Sequence, residues 1–147
     1  MKKILYFFVG CIIVGFLMSA IFGSLPVFPF VAKGFLMSVS NDRYDEAYSM
    51  LSKDYQQRMD LPTFKNNVLQ SGLNQYKSAK WVQEVTSSDH KHGYLRGVIT
   101  TKLNTPIEIE FVFVQVQGKN WLDKGWRIND IRTPGIKPHG GSEAQHQ

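Results

Sequence analysis

Residues 107–117 read Ile-Glu-Ile-Glu-Phe-Val-Phe-Val-Gln-Val-Gln, and their alternation decides how the rest of the chain is read. A period of two belongs to a β-strand, because successive side chains point to opposite faces. Ile107, Ile109, Phe111 and Phe113 share one face. Glu108, Glu110, Val112 and Val114 share the other. Charge on the second face stops at Glu110, which predicts a central strand covered on both sides toward its middle.

Strands are expected on both sides of this one. Asn104-Thr105-Pro106 turns the chain back into residues 94–103. There Leu95, Gly97, Ile99 and Thr101 take one face, and Tyr94, Arg96, Val98 and Thr100 the other. Residues 89–93, Asp-His-Lys-His-Gly, form the next turn, and residues 81–85 a further strand. Downstream, turns at 117–120 and 123–125 lead into a last strand over 126–131.

Upstream of Gly72 the period becomes helical. Val31, Phe35, Leu36 and Val39 give one face of a helix over 31–40. Asp42 is placed to cap a second helix, buried through Tyr44, Ala47, Tyr48 and Leu51. Residues 52–54 read as a bend. Asp60 caps a third helix with Pro62 in its first turn, burying Leu61, Phe64, Val68 and Leu69; Ser71-Gly72 stops it. Helices followed by antiparallel hairpins define an α+β domain, about three helices on a curved sheet of about four strands.

Residues 4–22 carry no charge over 19 positions, enough to cross a hydrocarbon core of ~30 Å as a helix. Lys2 and Lys3 precede it, so the N-terminus is expected to stay in the cytoplasm and the rest to be exported. Pro26 and Pro29 predict an extended exit from the bilayer. The expected organisation is a stub and transmembrane anchor over 1–25, an exported domain over 26–132 and a disordered tail over 133–147. The localisation that follows is a bacterial inner membrane, single-pass, with the domain periplasmic or extracellular. A cleaved signal peptide and a lipoprotein acylated at Cys11 are the rival readings. The first lacks a small residue at Met18, and the second has only a loose lipobox before Cys11.

Composition excludes several chemistries. Cys11, in the apolar segment, is the chain's single cysteine, so the exported part has no disulfide, thiolate site or Cys nucleophile. The net charge of +5 is spread as single residues, without the clustering that nucleic-acid binding needs. His90 and His92 sit in a turn with no third ligand, which a metal site requires. No cofactor is expected.

Residues 35–52, FLMSVSNDRYDEAYSMLS, resemble the opening of bacterial members of the nuclear transport factor 2-like superfamily (the cystatin-like or ketosteroid-isomerase-like cone). The second helix there has the Tyr44-Asp45-Glu46-Ala47-Tyr48 pattern, then Leu51-Ser52. Leu61-Pro62-Thr63-Phe64 resembles the start of the family's third helix, and residues 125–131 its last strand. The likeness spans about 31–132 and implies a cone of helices closing a bent sheet, with a pocket at the open end. The fold hosts many functions, and the likeness carries over no catalytic residue, because the family's acid or base cannot be matched here: Asp and Glu fall mostly in caps, turns and outward strand faces.

Tyr44, Tyr48, Tyr55, Trp81 and Trp126 are the candidates to line such a pocket; core packing is the plainer reading. Glu108, Glu110, Val112 and Val114 are the candidates for a partner-facing sheet. Glu108 and Glu110 would also suit acid–base work, although a solvated strand face explains them more simply. The function expected is a non-catalytic, membrane-tethered module that docks on another envelope protein or self-associates. A small-ligand carrier or sensor is the alternative, and an isomerase- or dehydratase-like enzyme comes third.

Overall fold

The computed structural model describes residues 27–117 and 125–134. Helices α1 (Val27–Ser40), α2 (Tyr44–Ser49), α3 (Lys53–Arg58) and α4 (Leu61–Ser71) precede strands β1 (Tyr76–Thr86), β2 (His92–Thr101), β3 (Pro106–Val116) and β4 (Gly125–Arg132). The strands form one antiparallel meander in the order β1-β2-β3-β4. The domain is therefore α+β, with one helix more than the periodicity predicts.

Helix α1 buries Phe28, Ala32, Phe35, Leu36 and Val39, the i, i+4, i+7 stripe of a core-facing helix. Its first turn is pinned to three strands at once. The Phe28 ring stacks on Phe113 of β3 at 4.8 Å and meets the edge of Trp126 of β4 at 4.8 Å. Gly93 of β2 lies directly beneath that ring, where any Cβ would overlap it. The expected extended exit is corrected at Pro29, which lies inside the first turn of α1. Proline is tolerated there because first-turn N–H groups have no helical partner to lose.

Two expected helix starts are also corrected. Asp42 does not cap α2: it takes a left-handed φ of 60° and accepts a hydrogen bond from the Tyr44 hydroxyl at 3.2 Å. Arg43 holds the capping position, with no side-chain cap. The expected bend at 52–54 is instead the start of α3. Ser52 caps it, accepting from the Tyr55 N–H at 3.1 Å, and its hydroxyl donates to Asn129 Oδ1 at 2.6 Å. Asp60 and Gly72 bound α4 as predicted: Thr63 N–H donates to Asp60 Oδ1 at 2.9 Å, and Gly72 ends the helix at φ 77°. Leu69 is exposed rather than buried, because it falls about 100° past Val68 on the helix surface.

Strand β1 is twice as long as the alternation predicts. Register shifts between Tyr76 and Ser78 and between Trp81 and Gln83 break its period of two, which hides it from a pattern reading. β3 lies between β2 and β4, so it is central as predicted. Ile109, Phe111 and Phe113 are fully buried, Phe111 against Phe35 and Phe113 against Phe28. Helix α1 packs on this face through Phe28 and Phe35, and α3 lies against the edge strand β4, where Arg58 donates to the Asn129 carbonyl at 2.9 Å, so neither supplies the expected cover on the second face of β3. The outer edge of β4 is partly closed, since Ser52 N–H donates to the Ile128 carbonyl at 2.8 Å and Ile128 N–H to the Met50 carbonyl at 3.0 Å.

Among the described residues no helix is long and apolar enough to cross a membrane. Residues 4–22, which carry the anchor reading, lie outside the described residues. So do Pro26, most of the turns at 117–120 and 123–125, and residues 135–147 of the predicted tail.

Candidate functional site

The second face of the sheet gathers the residues that the alternation assigns to it. The register sets Arg96 opposite Glu110 and Glu110 opposite Arg132, in one row across β2, β3 and β4. The next row holds Val85, Tyr94, Val112 and Asp130. A third holds His92, Val114 and Arg127, and a fourth Lys80, Val98 and Glu108. Tyr94, Val98, Val112 and Val114 are each half-buried, and Val85 is exposed. The centre of this face is thus apolar and the charges stand around and across it.

Those charges pair with one another. Glu110 carries Arg96 on one side at 3.7 Å and Arg132 on the other at 3.9 Å. Arg132 Nε donates to Asp130 Oδ2 at 3.0 Å, and the other oxygen of Asp130 accepts from the Ile131 N–H. Partial burial pushes the Tyr94 phenol up from its ordinary range, helped by its hydrogen bond to Glu110. A hollow of about 300 Å³ opens at the end of this row, lined by Arg96, Glu108, Glu110, Arg132, Thr133 and Pro134. The Thr133 hydroxyl beside it is shut from solvent with no hydrogen-bond partner among the described residues. This arrangement offers planar cations and carboxylates next to an apolar strip. Such a surface can recognise another polypeptide; it presents no nucleophile aimed at a common point.

Glu108, Glu110, Val112 and Val114 therefore fall on one face, with neighbours that a strand-by-strand reading leaves separate. Arg96, Tyr94 and Val98 come from β2, Asp130 and Arg132 from β4. A signal for the first group is present in the sequence. A turn centred on Leu103 pairs positions whose numbers sum to 206, which puts Arg96 opposite Glu110. The β4 register is harder to foresee, because a bulge shifts it between Val112 and Phe113.

The five aromatic candidates are divided between the helices, which carry Tyr44, Tyr48 and Tyr55, and the edge strands, which carry Trp81 and Trp126. Tyr44 is buried, with Lys65 Nζ 5.0 Å from its ring centre; burial, then the hydrogen bond to Asp42, raises its pKa. The Tyr48 hydroxyl donates to the Met59 carbonyl at 2.8 Å and its ring tilts against Phe64. Tyr55 is 4% exposed, and burial, with Asp130 adding to it, pushes its phenol up to about 12. Trp81 packs edge-on to Phe111 from β1, and Trp126 against Phe28 from β4. β1 and β4 are the two edges of the sheet, three strand spacings or about 14 Å apart. Trp81 and Trp126 are thus not brought together, and the three tyrosines belong to the helices.

His90 sits in the β1–β2 turn at φ 55°, and His92 opens β2 with its Nδ1 3.9 Å from Asp89. Among the described residues no three His, Cys, Asp or Glu side chains gather closely enough to hold a metal ion. No family model, curated protein or solved structure matches this chain.

Proposed function

We propose that the chain is a membrane-tethered, non-catalytic module that docks on another envelope protein through the open face of its sheet. One observation carries this reading. The face bears half-buried Tyr94, Val98, Val112 and Val114, with the Arg96–Glu110–Arg132–Asp130 charges arranged across it. An apolar centre with a polar surround is the anatomy of a protein interface. In this reading residues 4–22 hold the module to a bacterial inner membrane, with the domain on the far side. The fold reading that accompanies it is a nuclear transport factor 2-like cone, with which four helices over a four-stranded antiparallel meander are compatible.

The test is photo-crosslinking in cells with a photoreactive residue at Val112 or Val114, compared with one at Asp45 on the helix side. The expected result is one stoichiometric envelope partner captured from the sheet positions and absent from position 45. Val112→Lys should then weaken that complex about 10- to 100-fold, as charging the centre of an interface does. Capture that is equal from both sides, or a complex unmoved by Val112→Lys, would sink the assignment.

A further inference from the structure

Helix α1 has two apolar faces where an outer helix ordinarily has one. Its core face carries Phe28, Ala32, Phe35, Leu36 and Val39. The face turned away from the sheet carries Val27, Phe30 and Met37, at 46%, 80% and 43% exposure. Lys33 is the single charged residue among its 14 positions. Phe30 lies about 200° round the helix from Phe28, so the ring that pins α1 to the sheet and the ring that faces outward point in opposite directions. Transferring an exposed Phe out of water is favourable, so this face calls for a cover.

The chain indicates what that cover is. Val27 is five residues beyond Phe22, the end of the uncharged segment. Five extended residues span at most roughly 18 Å. A start of α1 tied that closely to the end of a spanning segment is within reach of the headgroup layer, which is about 5–8 Å deep on each side of the hydrocarbon. We propose, resting on the reading of residues 4–22 as a bilayer anchor, that the first two turns of α1 lie on the lipid surface. Val27 and Phe30 enter the headgroup boundary, and Lys33, one turn on from Phe30, reaches the phosphates. Interfacial segments pair aromatic and basic residues in this way. The acids that follow α1 in sequence, Asp42, Asp45 and Glu46, lie past its C-terminal end, about 20 Å along the helix from Val27.

This contact deepens the docking assignment, because it fixes an orientation. The outer face of α1 and the open face of the sheet are on opposite sides of the two-layer domain. Seating α1 on lipid turns Tyr94, Val112 and Val114 away from the bilayer, toward a partner in the exported compartment.

The full chain, with Cys11→Ser, is reconstituted into vesicles of phosphatidylethanolamine with a minority of phosphatidylglycerol. Single cysteines carry a nitroxide at Val14→Cys, Val27→Cys, Phe30→Cys or Asp45→Cys, and collisions with oxygen and with a water-soluble nickel chelate are measured by spin resonance. Positions 27 and 30 should favour oxygen over nickel severalfold more than position 45 does. Phe30→Ser, a change at a solvent-facing ring that leaves the core intact, should move the label at 27 severalfold toward nickel. Nickel access at 30 equal to that at 45, with position 14 still in hydrocarbon, overturns the lipid contact and leaves the anchor standing. Nickel access at 14 overturns the anchor and the inference with it. A label at 30 shielded from both reagents means that protein covers the face, and overturns the inference in favour of a second copy or another chain.

Discussion

Phe111 and Val112 are neighbours in β3 with opposite surroundings. Phe111 is wholly buried, its ring 5.8 Å from Phe35 and 6.1 Å from Trp81. Val112 stands half-buried on the open face between Tyr94 and Asp130. The first face of the sheet holds the domain together, and the second is left for something else. If that division is right, substitutions on the two faces should separate stability from association.

The largest effect is expected from Phe111→Ala. Removing a buried aromatic ring from a packed core costs about 3–5 kcal/mol, a large fraction of the ~5–15 kcal/mol that a domain has. Val112→Ala should cost about 1 kcal/mol or less, because its side chain is already half in water. Urea unfolding of both variants checks the contrast. Similar losses at the two positions would mean that the open face is a second core.

Much of this division was legible in the sequence. Alternation in β2 and β3 is regular, so the residues of both faces could be assigned from the period alone. The hidden parts share a physical cause, which is that each breaks a period. The bulges at Trp81 and Val112 slip the register of β1 and β4. α3 is a six-residue helix too short to show a stripe, and only Ser52 as a cap announces it. Asp42 was a reasonable cap on residue type, but its left-handed φ turns the chain between α1 and α2 and leaves the capping position to Arg43. The candidate site was half legible. Glu108, Glu110, Val112 and Val114 share a face in the sequence pattern, whereas Asp130 and Arg132 join them only through the shifted pairing of β4.

Tyr55 offers a sharper probe of the closed side. Its phenol is pushed up to about 12 by burial and then by Asp130, above the ordinary 10.0 of an unfolded chain. Between pH 10 and 12 the unfolded state releases this proton while the folded state keeps it. Stability contributed by the buried neutral phenol is therefore full below pH 10 and falls as pH rises to about 12, by roughly 2–3 kcal/mol. The difference in unfolding free energy between the wild type and Tyr55→Phe, followed from pH 9 to 12, isolates this group from the lysines that titrate alongside it. The wild type should lose stability more steeply than the variant. Parallel curves would mean that Tyr55 is wetter than its 4% exposure implies. Tyr94, on the open face, is raised as well, but it is only half-buried, so Tyr94→Phe should change the slope less.

The smallest effect on stability belongs to the charges of the open face, and it discriminates most. Glu110 meets Arg96 at 3.7 Å and Arg132 at 3.9 Å, distances at the loose end for an ion pair, and both arginines are about half exposed. Pairs of this kind contribute about 0–1 kcal/mol, since the Coulomb gain in water is small and holding long side chains still costs entropy. Glu110→Gln should accordingly leave the unfolding midpoint almost unchanged. A docking surface would make the same residue matter elsewhere, because a partner that dries the row would deepen the attraction between Glu110 and its two arginines. Binding to the crosslinked partner should then weaken and lose much of its salt dependence. If Glu110→Gln instead lowers stability as much as a core substitution while binding is untouched, the charged row is part of the scaffold and the open face is not the interface.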